Sequence, residues 1–284
     1  MAVVLALLAG LCYAGAAVLQ QRVAAAQPPE LSLSPRLLLA VARKPVWLLG
    51  IALDITAYLL EAGALHEGSV VTVAPLLVSG LLFALPFSTI GTGQRVTRRE
   101  LLPAFVVVAG LALFVQVGSP TGDRSTASAT AWILVGAFVA VVAAALVAIG
   151  RVRRGSQRAL MFGVATGVVY SLTAVLTKST VDLLDNGVGA LFSHWQLYVL
   201  LAASAVGLLV NQSAFQAGHV AASLPAISVT NPVLASTFGI LMFGETLDAH
   251  GPLAVSVTAL SIVAMVIGTI TLARSPLVAH ADDE

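Results

Sequence analysis

The sequence predicts an all-α polytopic membrane protein whose nine transmembrane helices form two inverted four-helix repeats joined by a linking helix, a 4+1+4 plan. Three observations predict it: an apolar composition, basic residues confined to one side, and a repeat whose copies stand an odd number of crossings apart. Of the 284 residues, 58% are hydrophobic and only 10% charged, against about 25% charged in soluble domains. Mean hydropathy is +0.98.

A helical span needs about 20 apolar residues. Nine blocks meet that need: Val3 to Val23, Pro45 to Leu65, Val70 to Thr89, Leu101 to Val117, Thr130 to Gly150, Ala159 to Val181, Trp195 to Ala217, Val220 to Phe243 and Pro252 to Ala273. Their short connections leave no room for a soluble domain. Threading the chain through them gathers Arg22, Arg36, Arg43, Lys44, Arg95, Arg98, Arg99, Arg151, Arg153, Arg154, Arg158 and Arg274 on one side, and leaves Arg124 and Lys178 on the other. The crowded side is cytoplasmic, so the N-terminus lies outside the cell membrane and the C-terminus inside. A missed or invented span would scramble this segregation. Glu67, Asp123, Asp182, Asp185, Glu245 and Asp248 collect outside. They are either the acids left once bases are excluded or a vestibule that concentrates cations.

Gly10, Tyr13, Ala17, Val18 and Leu19 recur as Gly167, Tyr170, Ala174, Val175 and Leu176, and Ala64, Gly68, Val70 and Pro75 recur as Ala214, Gly218, Val220 and Pro225. Each helix of the first copy lies five crossings before its partner, so the copies enter the bilayer from opposite sides, as in many secondary transporters. This divides the chain into a first repeat over 1–120, a linking helix with a basic loop over 121–158, a second repeat over 159–276 and a disordered acidic tail over 277–284.

Each element follows in turn. The first block lacks the basic start of a signal peptide, and Gln20, Gln21 and Arg22 interrupt its end, so it is a permanent helix. Pro28, Pro29 and Pro35 argue against helix in the connection from Gln27 to Lys44. Trp47, Trp132 and Trp195 stand near span ends, as interfacial anchors do. Residues Thr121 to Thr130, rich in Ser, Thr and Gly, read as an exposed turn. Gly163 and Gly167 form a GxxxG that permits close helix approach, within the fold rather than between copies, although a homo-oligomer stays open. Lys178 ends the sixth helix and snorkels to the interface. Pro75 and Pro225 lie early in their helices, where proline is tolerated.

Charged side chains inside a bilayer cost at least ~2.5 kcal/mol and need a reason. Asp54 and Glu61 fall within the second block, seven residues apart with Tyr58 between them, on one face about two turns long. This face is the leading candidate for an ion or substrate path. The competing reading is that Glu61 reaches the interface and Asp54 accepts hydrogen bonds from neighbouring helices. In the repeat register Asn211 takes the place of Glu61, followed by Gln212; these amides either contact substrate or glue helices together. Pro232 follows Asn231 in mid-span and leaves the Ser228 carbonyl without its helical partner, the kind of interruption at which transporters hold ions. Ser79, Ser228 and Thr230 suit a polar lining.

Catalytic groupings are missing. There is no HExxH, GxSxG or phosphate-binding GxxxxGK[ST], the one cysteine, Cys12, allows no internal disulfide, and His66, His194, His219, His250 and His280 are scattered. No enzyme, cofactor or nucleic-acid partner is expected; the partners expected are the lipid bilayer and a small solute or ion.

The run NPVLASTFGILMFGETLDAHGPLAVSVTALSIVAMVIGTI, with its proline-bearing helix, Gly-Glu turn and final apolar helix, resembles the drug/metabolite transporter superfamily. QQR after the first helix, HEGSVVTVAPLLVSGLLF and NQSAFQAGHVAASLPAISV are similar to the NIPA-type magnesium transporters of that superfamily. The resemblance implies nine spans and transport of a small solute by alternating access, with magnesium or another divalent cation as the named candidate. It also implies an acidic residue in the second helix, near Asp54. Tentative metal ligands are Asp54 and Glu61, which would equally serve a proton or an organic cation as transported or coupling ion. A proton-coupled exporter of metabolites, or a non-transporting assembly protein, are the alternatives.

Overall fold

Apolar blocks fold as helices in hydrocarbon because each backbone N–H and C=O must find its partner within its own segment. The computed structural model describes residues 1–67, 76–77, 79–90, 95–118, 120–121, 127–183, 187–243, 246–247 and 252–274. Gly68, Val70, Pro75, Asp123, Arg124, Asp185, Glu245, Asp248, His250, His280 and the acidic tail lie outside them. The described helices are α1 (Ala2–Ala25), α2 (Pro35–Ala42), α3 (Pro45–Glu67), α4 (Gly80–Thr89), α5 (Arg98–Gly118), α6 (Ala129–Arg151), α7 (Gly155–Asp182), α8 (Val188–Ser193), α9 (Trp195–Ala217), α10 (Val220–Phe243) and α11 (Pro252–Ala273). Six of them, α1, α6, α7, α9, α10 and α11, are long and apolar enough to cross a membrane. The chain is a multi-pass membrane protein.

Over the first two-thirds of α1 the side chains are sorted by size. In α1, Ala6, Ala9, Gly10, Ala14, Ala16 and Ala17 are buried while Val3, Val4, Leu7, Leu8 and Leu11 point outward. Lipid is as apolar as leucine, so burial of large side chains gains little here, and small residues that let backbones approach closely take the inner face. Ile133, Leu134, Leu241 and Leu260 are likewise exposed on the outer surface.

α1 packs against α3 and α4; α7 packs against α9 and α10. α5 and α11 pack on each other, and α6 lies against α7. Close crossings recur at repeat-related positions. A Cβ on Gly80 would come within 2.7 Å of the Gly10 carbonyl oxygen, and a Cβ on Gly167 within 2.6 Å of Thr230 Cβ. A Cβ on Gly163, one turn earlier, would stand 2.8 Å from the Ser223 carbonyl oxygen, so the GxxxG serves packing inside the fold.

Four expectations need correction. The connection after α1 is partly helical, with a 3₁₀ turn at Pro29–Leu31 and then α2. Pro35 sits at the first position of α2, where its fixed φ suits the helix, the Ser34 side chain accepts from the Arg36 N–H, and Leu37 and Val41 bury one face. Pro232 does not break α10, which runs on through both its prolines. Trp47 is not an interfacial anchor: it is buried and donates through Nε1 to Gln212 Oε1 at 3.1 Å. Trp132 and Trp195 do pair edge to face at helix starts, with ring centroids 5.2 Å apart. Pro120–Thr121, at the edge of the expected turn, pairs antiparallel with Thr246–Leu247.

Helix ends are tied by side chains. Thr97 and Glu100 form a capping box at the start of α5: the Thr97 N–H donates to Glu100 Oε2 at 2.8 Å and its hydroxyl donates to the same oxygen. Glu100 is 1% exposed, a buried acid that the reading of span interiors passed over. Arg22 donates to the carbonyls of Phe87 and Ile90 at the end of α4, at 3.1 and 2.5 Å, meeting the negative end of that helix. Lys178 lies 4.8 Å from the centre of the Phe243 ring.

Candidate functional site

α3 places its acids by periodicity. Its closely packed stripe is Gly50, Ala57 and Ala64; a Cβ on Gly50 would stand 2.9 Å from Gln20 Cγ of α1. At 3.6 residues per turn, Asp54 and Glu61 flank that stripe, and they face a cavity of about 610 Å³. Residues of α1, α3, α4, α5, α7, α9 and α10 line the cavity, so both halves of the chain build it.

Six of the eight expected site residues reach it: Asp54, Glu61, Asn211, Ser228, Asn231 and Pro232. Two do not. Tyr58 is 65% exposed and lies outside the lining. From Asp54 it turns one way around the helix, while the packed Ala57 turns the other, so sharing a broad face with the acids does not bring it inward. Gln212 is fully buried one step behind the lining, and works through Gln20.

A one-way chain of hydrogen bonds ends on Asp54. Trp47 Nε1 donates to Gln212 Oε1 at 3.1 Å, Gln212 Nε2 donates to Gln20 Oε1 at 2.9 Å, and Gln20 Nε2 donates to Asp54 Oδ2 at 2.5 Å. An indole can only donate. Both amides are therefore oriented from the tryptophan end, and an N–H is always presented to the carboxylate. The chain crosses from the first half (Trp47, Gln20, Asp54) into the second (Gln212), and Gln20 is 3% exposed and Trp47 8%.

Glu61 has its own donor, the Tyr13 hydroxyl, at 2.7 Å from Oε2. The repeat reproduces the pair: Tyr170 corresponds to Tyr13 and Asn211 to Glu61, and the Tyr170 hydroxyl interacts with the Asn211 side chain. Sequence reasoning missed Tyr13, Tyr170 and Gln20 as site residues. Tyr13 and Tyr170 were visible as polar members of an otherwise apolar repeat, but nothing local pairs them with α3 and α9.

No lysine, arginine or histidine lines the cavity among the described residues. The buried Oδ1 atoms of Asn211 and Asn231 have no hydrogen-bond partner there. The remaining wall is apolar, including Leu77, Leu81, Leu111, Phe215, Leu224 and Ile227. The described residues hold no group of three or more His, Cys, Asp or Glu placed to hold a metal ion, and seven residues of helix set Asp54 and Glu61 about 10 Å apart along its axis. The site thus offers acceptors and negative charge on an apolar wall, chemistry that suits a cation with donor N–H groups.

Comparison with known proteins places the chain beside an uncharacterized protein of Corynebacterium glutamicum. The two are 29% identical over 276 residues, covering 97% of this chain and 95% of that protein. No family model matches, and no solved structure matches.

Proposed function

We propose that this protein is a secondary transporter of the drug/metabolite transporter type, moving a small cationic solute across the cell membrane by alternating access, with no catalytic role. The observation that carries this reading is the pair of carboxylates, unmatched by any cationic side chain among the described lining residues, in a cavity built by both halves. Unpaired intramembrane acids are costly and mark ion and substrate paths.

A 4+1+4 inverted plan is supported by the packing. α1 meets α3 and α4 as α7 meets α9 and α10, and the contact of Gly10 with Gly80 is echoed by that of Gly167 with Thr230. Contacts between helix ends that nine crossings put on one side support the same plan, as where Gln21 donates to the Gly218 carbonyl and Pro120–Thr121 pairs with Thr246–Leu247. Rocking of one half against the other would open the shared cavity alternately to each side. The N-terminus would lie outside. Magnesium, the solute of the resembled family, demands oxygen ligands in octahedral array; the apolar wall and the spacing of the acids favour an organic cation, with a proton as coupling ion.

The test is transport by purified protein in liposomes, scanned over amines and Mg²⁺ with and without a pH gradient. Asp54→Asn should abolish transport at unchanged protein level and membrane insertion. Wild-type rates in that variant would remove Asp54 from the path. Cysteines at 54 and 61 that stay inert to polar thiol reagents would favour the assembly-protein alternative instead.

A further inference from the structure

The two acids differ from a single-cation site in being apart. Asp54 and Glu61 share one cavity and one helix face, yet seven residues of rise separate them by about 10 Å along the axis and only about 20° around it. Direct ligands of one metal ion stand within about 2.6 Å of it, so both cannot ligate the same ion directly. Each carboxylate is held by its own protein donor, Gln20 for Asp54 and Tyr13 for Glu61. Each therefore has a fixed place, and the wall of the cavity they share also carries leucines, Phe215 and Ile227. Asn211 and Asn231 add buried oxygens lacking a donor among the described residues. An ammonium group brings three N–H donors.

Resting on the transporter reading above, we infer that the cavity takes a linear dication, an α,ω-diaminoalkane whose two ammonium groups meet Asp54 and Glu61 while its methylene chain lies on the apolar wall between them. Charge is matched two for two, so the loaded cavity is neutral and crosses the low-dielectric step without a stranded ion. The length is set by geometry. An extended alkyl chain gains roughly 1.25 Å per bond, given C–C bonds of about 1.5 Å, so diamines of about five to seven carbons span roughly 7–10 Å between nitrogens.

The experiment is a length series, from 1,3-diaminopropane to 1,10-diaminodecane, measured as binding to the purified protein and as uptake into proteoliposomes, beside n-alkylamines of equal length and Mg²⁺. Affinity should peak between five and seven carbons. Equal-length monoamines should bind at least about tenfold more weakly, the loss of one charge-assisted contact. Asp54→Asn and Glu61→Gln should each lose the length optimum and bring diamine affinity down towards that of the equal-length monoamine; if either fails to fold, the wild-type length profile decides alone. Affinity that climbs steadily with chain length, monoamines that match diamines, or Mg²⁺ carried in preference to all amines would each overturn the inference. Transport of monoamines or Mg²⁺ would leave the transporter reading standing, whereas absence of transport for every cation would end both.

Discussion

Gln212→Leu tests the chain of hydrogen bonds that fixes Asp54. The substitution removes a side chain with 0% exposure and two bonds, one received from Trp47 at 3.1 Å and one given to Gln20 at 2.9 Å. Interhelical hydrogen bonds within membranes average about 0.6 kcal/mol and reach about 1.7, so the loss of two comes to about 1–3 kcal/mol. Trp47→Phe removes only the first and costs roughly 1 kcal/mol beyond any lost packing. Because the two substitutions share that bond, the double variant should cost less than the sum of the singles by about 0.6–1.7 kcal/mol. Equilibrium unfolding in mixed detergent micelles measures all three. Additivity to within about 0.3–0.5 kcal/mol would show that Trp47 and Gln212 do not act as one unit. Transport supplies a second readout: with the indole gone, Gln212 Oε1 loses its donor and the relay is held only from the Asp54 end, where the carboxylate still requires an N–H from Gln20.

Glycine crossings give a paired prediction. Gly80→Ala would drive a Cβ to 2.7 Å from the Gly10 carbonyl oxygen, whereas a Cβ at Gly136 meets nothing within 4 Å; the first should lose about 1–3 kcal/mol and the second should be neutral or slightly stabilising, read by thermal unfolding in detergent. Tyr58→Ala should leave transport near wild type because the ring is 65% exposed and outside the cavity, while Tyr13→Phe, which strips Glu61 of its donor, should reduce it; equal effects would show that the cavity is not the path. Glu100→Ala breaks the capping box of α5 and should cost about 0.5–2 kcal/mol with substrate affinity unchanged, since Glu100 lies outside the cavity lining.

The repeat gives the site its asymmetry. Tyr13 faces a carboxylate, and its counterpart Tyr170 faces an amide. One frame thus holds a charged copy and a neutral copy on either side of a shared space. In the proposed transporter a cation would meet its counter-charges on α3, while α9 and α10 contribute the neutral amides Asn211 and Asn231 to the lining. In the alternating-access cycle proposed above, the second half would move relative to the first without carrying either of these carboxylates with it.

Composition and period determined the helices. Each hydrophobic block read from the sequence contains a helix among its described residues, six of them long enough to cross a membrane, because a segment in hydrocarbon has no other way to satisfy its backbone. The sequence also singled out Asp54 and Glu61, since charge in an apolar run is conspicuous whatever surrounds it. It could not say on which side of α3 the packed face ended: apart from the two acids, the side chains around Tyr58 are apolar or small, and lipid and helix neighbours make the same demand for apolar surface. That choice fell to the close approach of Gly50 to α1, a tertiary contact on the face where Ala57 is also buried. Trp47 illustrates the same limit, as its place at a helix start fits an interfacial anchor until Gln212, 165 residues away, arrives as its acceptor. Local periodicity fixes what a segment becomes, but the partner of a buried polar group is decided only when distant helices meet, because its hydrogen bond depends on where the other chain segment lies and not on the sequence around it.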